Sequence, residues 1–121
     1  MHEFYRYFAN TKALSEFSNS SKAELTLSLD VIYHLIEDSV FDEYMTRLFD
    51  AADVFVIIYS SNTNDNYSSQ APHVMHRKFT DWTDENLSNW TMVQHIPNRH
   101  RYDKNIEGGT CADFFIYKKK Q

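Results

Sequence analysis

The pattern of apolar and polar positions changes its period along the chain and so marks the predicted elements. Residues Glu24–Leu29 alternate three leucines with polar residues, which predicts a strand with the leucines on one face. From Val40 to Ala52 the apolar residues recur at spacings of three and four, which is typical of an amphipathic helix. Val54–Tyr59 is an unbroken apolar run, and we interpret it as a strand buried on both faces.

The second half of the chain continues this alternation of strands and helices. Phe79–Leu87 is predicted to be a helix, and Trp90–Ile96 and Ala112–Tyr117 are predicted to be strands. The polar stretch Ser60–Pro72 is long for a simple connection, so it is either a mobile loop or a functional lid. The order strand, helix, strand, helix, strand, strand favours an α/β fold with parallel strands, flanking helices and a C-terminal antiparallel strand pair.

Composition narrows the function classes. A chain of 121 residues, 42% hydrophobic and 24% charged, fits a single globular domain over residues 1–121. Its two glycines, Gly108 and Gly109, exclude a three-glycine dinucleotide fingerprint and a glycine-rich phosphate loop. The single Cys111 excludes an internal disulfide and a multi-cysteine metal site. Because the longest apolar run is far too short to span a bilayer, we expect a soluble, cytoplasmic protein with no membrane partner.

The charge balance argues against nucleic acid as a partner. The formal net charge is −5, whereas a protein that binds phosphate backbones normally carries a basic surplus. The cationic cluster Lys118–Lys120 is interpreted as a solubilising tail.

Candidate chemistry gathers around charged and imidazole side chains near the predicted strand ends. Asp30 follows a strand, where ligands of open α/β sheets bind, so it either accepts from a ligand or caps the turn. His34 is either a general base or a ring packed on the helix start. His76 and Arg77 suit contact with an anion or form a solvated helix entrance. His73 and His76 lack a third ligand nearby, so no metal site is predicted.

Four segments together resemble a known enzyme family. Ala23–Asp38 reads AELTLSLDVIYHLIED and resembles the fourth-strand segment of class I S-adenosylmethionine-dependent methyltransferases. Val56–Asn62 is similar to the fifth strand of that family. His73–Phe79 and Ala112–Tyr117 resemble the stretches that lead into the next helix and close the sheet.

The resemblance implies a partial Rossmann-like methyltransferase sheet, in a family whose seven strands follow the order 3-2-1-4-5-7-6. It implies S-adenosylmethionine as cofactor and methyl transfer to a small acceptor that the sequence does not identify. Leu29, Asp30 and Val31 would lie beside the methionine end of the cofactor, with Asp30 and His34 as the catalytic pair. The substrate side would be lined by Tyr59, Ser60, Asn62, His76 and Arg77.

The family's first two strands and its glycine-rich loop have no counterpart in these 121 residues. The resemblance therefore implies the C-terminal half of a methyltransferase, and we expect this chain alone to be inactive. One hypothesis is an enzyme completed by a missing N-terminal half. The alternative is a non-catalytic remnant or interaction module. Because the fourth strand is central in the complete sheet, we expect its free edge to be covered by the N-terminal segment, by self-association or by a partner chain.

Overall fold

The computed structural model describes residues 22–66, 70–99 and 112–121. Within them the helices and strands lie where the hydrophobic pattern predicts, with bounds that differ by a few residues. The expected covering role of the N-terminal segment falls outside these ranges. In chain order the elements are β1 (Ala23–Leu29), a 3₁₀ turn (Ile32–His34), α1 (Asp38–Asp50), β2 (Ala52–Ser60), α2 (Phe79–Asn86), β3 (Trp90–Ile96) and β4 (Asp113–Lys119).

The four strands form one mixed sheet in the order β1-β2-β4-β3. β1 and β2 are parallel, and Leu27 pairs with Ile57. β4 is antiparallel to both of its neighbours, and Ile116 pairs with Ile57 on one side and with Gln94 on the other. The prediction of an α/β sheet whose last two strands pair antiparallel is confirmed. β2, the strand with the unbroken apolar run, lies between β1 and β4, but the expectation that both of its faces are buried is wrong, since Phe55 is 36% exposed on the face that the helices do not cover.

Helix α1 packs one face against β1 and β2. Asp38 lies in its first turn and Arg47 in its last, an arrangement that complements the helix dipole at both ends. Burying one large apolar side chain of this helix contributes roughly 2 kcal/mol to folding. The buried side chains of α1 are Phe41, Tyr44, Met45, Leu48 and Phe49.

The helices cover the face of β1 that carries its hydroxyl side chains. Thr26 and Ser28 are fully buried, whereas Leu25 and Leu29 are 39% and 37% exposed. Thr26 Oγ1 donates to the carbonyl oxygen of Leu48 at 3.0 Å. The hydroxyl of Tyr44 on α1 donates to Ser28 Oγ at 2.9 Å. The small side chains of Thr26 and Ser28 allow α1 to approach β1 closely. The two hydrogen bonds offset the cost of burying their hydroxyl groups.

The opposite face of the sheet, which we call the open face, is apolar and only partly buried. Strand register places Leu29, Tyr59 and Phe114 in one row across it, and Phe114 is 39% exposed. The open face of β1, β2 and β4 comprises Leu25, Leu27, Leu29, Phe55, Ile57, Tyr59, Phe114 and Ile116. Neither helix of the described ranges has the length and apolar character that a membrane crossing requires.

Candidate functional site

The carboxyl ends of the parallel strands β1 and β2 lie side by side and form what we call the carboxyl edge. Leu29 pairs with Tyr59, and the Asp30 N–H then donates to the Tyr59 carbonyl oxygen at 3.0 Å. Asp30 has a φ of +59°, in the left-handed region that residues with a Cβ rarely occupy. Such backbone strain is concentrated at functional sites and tight turns. The aspartate therefore marks a sharp exit from β1 at the place where open α/β sheets bind ligands.

Asp30 and His34 belong to one small cluster in the turn after β1. The hydroxyl of Tyr33 donates to Asp30 Oδ1 at 2.8 Å, and the Tyr33 ring lies 4.6 Å from the His34 ring. His34 Nδ1 lies 3.3 Å from the carbonyl oxygen of His73, and the two imidazoles stack at 5.6 Å. Because a carbonyl only accepts hydrogen bonds, this contact requires the proton of neutral His34 on Nδ1 and leaves Nε2 as an acceptor.

His76 approaches the same cluster from the segment before α2. Its Nδ1 lies 2.6 Å from Ser61 Oγ, and its ring lies 6.1 Å from the Tyr33 ring. The side-chain amide of Asn66 accepts from the His76 N–H at 2.8 Å and donates to its carbonyl oxygen at 3.0 Å. Burial lowers the pKa of His76 below its usual value. Burial therefore favours the neutral form of the ring, and the two hydrogen bonds to Asn66 hold the His76 backbone.

Arg77 holds the loop against the start of α1. Its guanidinium forms an ion pair with Asp38 at 2.9 Å, donates to the carbonyl oxygens of Leu35 and Ile36, and lies 4.5 Å above the Phe41 ring. The Arg77 side chain is 11% exposed. The guanidinium is thus engaged by the protein itself rather than presented to the carboxyl edge.

Asn62 makes a comparable contact at the start of α2. Its Oδ1 accepts from the Thr80 N–H at 3.3 Å, and its Nδ2 donates to the Thr80 hydroxyl at 3.0 Å. These bonds satisfy groups of the first helical turn that have no intrahelical partner. The side chain that the resemblance assigns to substrate binding is here part of a helix start.

Tyr59 and Ser60 lie on opposite faces of the sheet. The Tyr59 ring packs on Phe114 of the open face at 4.6 Å, and its hydroxyl accepts from Asn98 Nδ2 at 2.7 Å. Ser60 is 1% exposed, and its hydroxyl finds no hydrogen-bond partner in the parts of the chain described above. Of these two, Tyr59 is the residue that reaches the same face as Leu29.

A second polar cluster, which the sequence did not predict, lies where β3 ends and β4 begins. His95 Nε2 lies 2.9 Å from Asp113 Oδ2, and the Asn98 N–H donates to Asp113 Oδ1 at 2.8 Å. The His95 ring stacks on Phe115 at 4.5 Å. Because His95 and Asp113 are separated by 18 positions, no local spacing in the sequence indicates the pair.

Tyr33, Ser61 and Asn66 are further site residues that sequence reasoning missed. Only Tyr33 had a local signal, since it follows Asp30 by three residues within one turn. Within residues 22–66, 70–99 and 112–121, no three side chains of the His, Cys, Asp and Glu types assemble into a potential metal site.

A groove of about 480 Å³ opens on the helix side, between the starts of α1 and α2. Its lining includes four carboxylates, on Asp38, Asp42, Asp81 and Glu85. Asp38 pairs with Arg77, and Asp42 accepts from the indole N–H of Trp82 at 3.0 Å. Two of the four carboxylates are thus engaged by the protein itself, and the carboxyl edge remains the candidate site.

Comparison with known proteins supports the fold at a coarse level. No protein-family profile matches this sequence, and no curated protein is detectably similar to it. Among solved structures the chain is similar to the crystal structure of the small RNA methyltransferase HEN1, with a TM-score of 0.57 and 13% sequence identity. The similarity covers 86% of this chain and 14% of that one. The fold is therefore methyltransferase-like, and the chain spans a small part of the length of that structure.

Proposed function

We propose that this chain supplies the C-terminal part of an S-adenosylmethionine-dependent methyltransferase that acts on a small acceptor. The observation that carries the proposal is the order of the described strands, β1-β2-β4-β3. In it β1 and β2 are parallel, and β4 lies between β2 and β3 and is antiparallel to both. The resemblance implies the order 4-5-7-6 for the last four strands of the family, and the observed connectivity agrees with it. Fold alone does not fix function, so the activity needs its own test.

The carboxyl edge fits one end of the cofactor. Asp30 Oδ1 accepts from Tyr33, while Oδ2 has no hydrogen bond within the described ranges and can accept from an ammonium group. Leu29 and Val31, the residues before and after Asp30 in the chain, are apolar. When bound, S-adenosylmethionine would supply the methyl group on a sulfonium centre. The sequence contains two adjacent glycines and therefore no glycine-rich cofactor loop, so the proposal requires further cofactor contacts from outside these 121 residues.

His34 is the residue that we propose as the general base. Its Nδ1 is engaged by the His73 carbonyl oxygen, and its Nε2 is then the nitrogen that can accept the proton of an acceptor group. The exposed ring is accessible to a small molecule. Methyl transfer otherwise depends on alignment of the acceptor, to which Tyr59 can contribute.

Calorimetric titration of S-adenosylhomocysteine into the purified chain tests whether the chain holds the cofactor. We expect saturable binding that Asp30→Asn weakens about tenfold or more, because the carboxylate is the charged group of the site. Asp53→Asn is the matched control, since Asp53 is exposed at the opposite end of β2. No heat at millimolar ligand, or equal loss in both variants, would contradict cofactor binding by this chain.

The second candidate is a non-catalytic interaction module, and the exposure of β1 favours it. In the described ranges β1 pairs with β2 alone, and no described residue pairs with the backbone N–H and C=O groups on its other side, next to the apolar open face. A partner strand that pairs along this edge would satisfy these groups. A second copy of the chain is the partner that we propose to test first.

Light scattering over a range of concentrations tests this pairing. We expect a dimer that Leu25→Lys on β1 disrupts, because a lysine beside an edge strand opposes pairing. Thr91→Lys on β3, at the other edge of the sheet, should leave the dimer intact. A monomer at every concentration would overturn self-association through β1.

A further inference from the structure

Ser61 is a buried hydroxyl with one side-chain partner at the carboxyl edge. It follows β2 directly and is 2% exposed. Its Oγ lies 2.6 Å from His76 Nδ1, and the hydroxyl makes no other hydrogen bond with the described residues. Neither the hydrophobic pattern nor the family resemblance assigns this serine a role.

The protonation of the Ser61–His76 pair follows from the donors that must be satisfied. A buried O–H group without an acceptor carries a desolvation cost, and His76 Nδ1 is the acceptor within reach of Ser61. Ser61 therefore donates, and Nδ1 of the imidazole accepts. A neutral imidazole has one N–H, which must then lie on Nε2. Burial independently favours this neutral ring, because it lowers the pKa of His76.

His34 and His76 consequently have opposite tautomers. The His73 carbonyl oxygen requires an Nδ1–H on His34, whose Nε2 accepts. Ser61 requires a bare Nδ1 on His76, whose Nε2 donates. Both imidazoles lie near the Tyr33 ring, His34 at a centroid distance of 4.6 Å and His76 at 6.1 Å. The carboxyl edge thus offers one imidazole acceptor and one imidazole donor.

We propose that Ser61 fixes His76 as an Nε2–H donor that recognises an oxygen atom of the small molecule bound at the carboxyl edge. His76 Nε2 has no hydrogen-bond partner within the described ranges, so this donor is available to a ligand. An uncharged N–H suits a hydroxyl, carbonyl or phosphate oxygen and does not suit an ammonium group. Arg77 beside it cannot supply charge recognition, because its guanidinium is engaged by Asp38 and two carbonyl oxygens.

This inference deepens the proposed function, because it favours a methyl acceptor that contains oxygen over an amine. The identity of the ligand rests on the proposed function. The tautomer of His76 does not rest on it. Ser61 is a positioning residue that acts through His76, so the test measures the tautomer and the pKa of the His76 imidazole directly.

The test is a long-range ¹H–¹⁵N correlation spectrum of the uniformly ¹⁵N-labelled full chain, with the His76 signals assigned by their loss in His76→Gln. We expect Nε2–H on His76 and Nδ1–H on His34. In Ser61→Ala the Nε2–H to Nδ1–H ratio of His76 should fall about fivefold, the effect of one net hydrogen bond. The His76 pKa should also rise toward its usual value, and Ser61→Thr should restore both.

Ser60→Ala is the matched control, because Ser60 is the adjacent buried serine and makes no bond to His76. An Nδ1–H tautomer on His76, or equal effects of the two alanine variants, would overturn the role of Ser61. A null result in the calorimetric titration would count against cofactor binding while leaving the tautomer result unchanged.

The ligand class is tested by adding acetate, inorganic phosphate or methylammonium to the same labelled chain. Acetate and phosphate should shift the His76 Nε2–H signal, and Ser61→Ala should reduce that shift. Methylammonium should not move it. A shift with methylammonium equal to that with acetate, or no shift with any probe, would overturn oxygen recognition by His76.

Discussion

Both faces of the sheet carry apolar side chains, but they differ in what covers them. On the helix side, Val56 and Ile58 are fully buried. On the open face, Phe55 and Phe114 remain 36% and 39% exposed, although Phe55 lies on the same strand as Val56 and Ile58. The difference teaches that apolar side chains alone do not decide which face the helices cover. On β1 the covered face carries Thr26 and Ser28, whose hydroxyl groups bond to α1.

The largest expected difference between the faces comes from one leucine on each side. Leu48 on α1 is fully buried, and Leu29 on the open face is 37% exposed. Leu48→Ala should lower the free energy of unfolding by about 2–5 kcal/mol, through lost burial and a cavity. Leu29→Ala should cost under about 1 kcal/mol, because part of its surface is already in water. Urea denaturation measures both, and an equal cost would show that the open face is covered in solution.

A smaller difference should appear at alkaline pH. Tyr117 lies on the helix side, its hydroxyl 3.0 Å from the Thr83 hydroxyl, and burial raises its pKa from 10 to about 12. As the pH rises, the tyrosine of the unfolded chain loses its proton before the tyrosine of the folded chain does. The contribution of Tyr117 to the free energy of unfolding is therefore complete below pH 10 and declines as the pH rises toward 12. The loss should reach about 2–3 kcal/mol and should disappear in Tyr117→Phe. Tyr59→Phe on the open face should leave the alkaline loss in place, as measured by unfolding at each pH.

The smallest expected difference concerns the hydroxyl groups themselves. Thr26→Val keeps the shape of the side chain but removes the bond to the Leu48 carbonyl oxygen, which should cost about 1 kcal/mol. Thr91→Val on exposed β3 should change stability by less than about 0.5 kcal/mol. Thermal and urea unfolding of the two variants measures both changes in the free energy of unfolding. A neutral Thr26→Val would mean that the covered face is selected by side-chain size alone.

The location of a candidate site residue could be predicted from the sequence only where it follows from the residue's position relative to a predicted strand or helix. Asp30 and His34 come directly after a predicted strand, and the structure brings them into one turn. Arg77 and Asn62 were expected to contact substrate, yet both bond to the protein itself, at Asp38 and Thr80. Those bonds join segments distant in the chain, so neither could be foreseen from spacing.

The local pattern of the sequence by itself determined the order and type of the elements, because the periods of strands and helices appear in neighbouring residues. It also excluded a glycine-rich phosphate loop, since a chain with two adjacent glycines cannot form one. Only the tertiary structure decided that the helices cover Thr26 rather than the leucines of β1, and that Ser61 meets His76. These outcomes depend on contacts between distant segments, whose geometry is set when the sheet assembles and each buried polar group must find a partner.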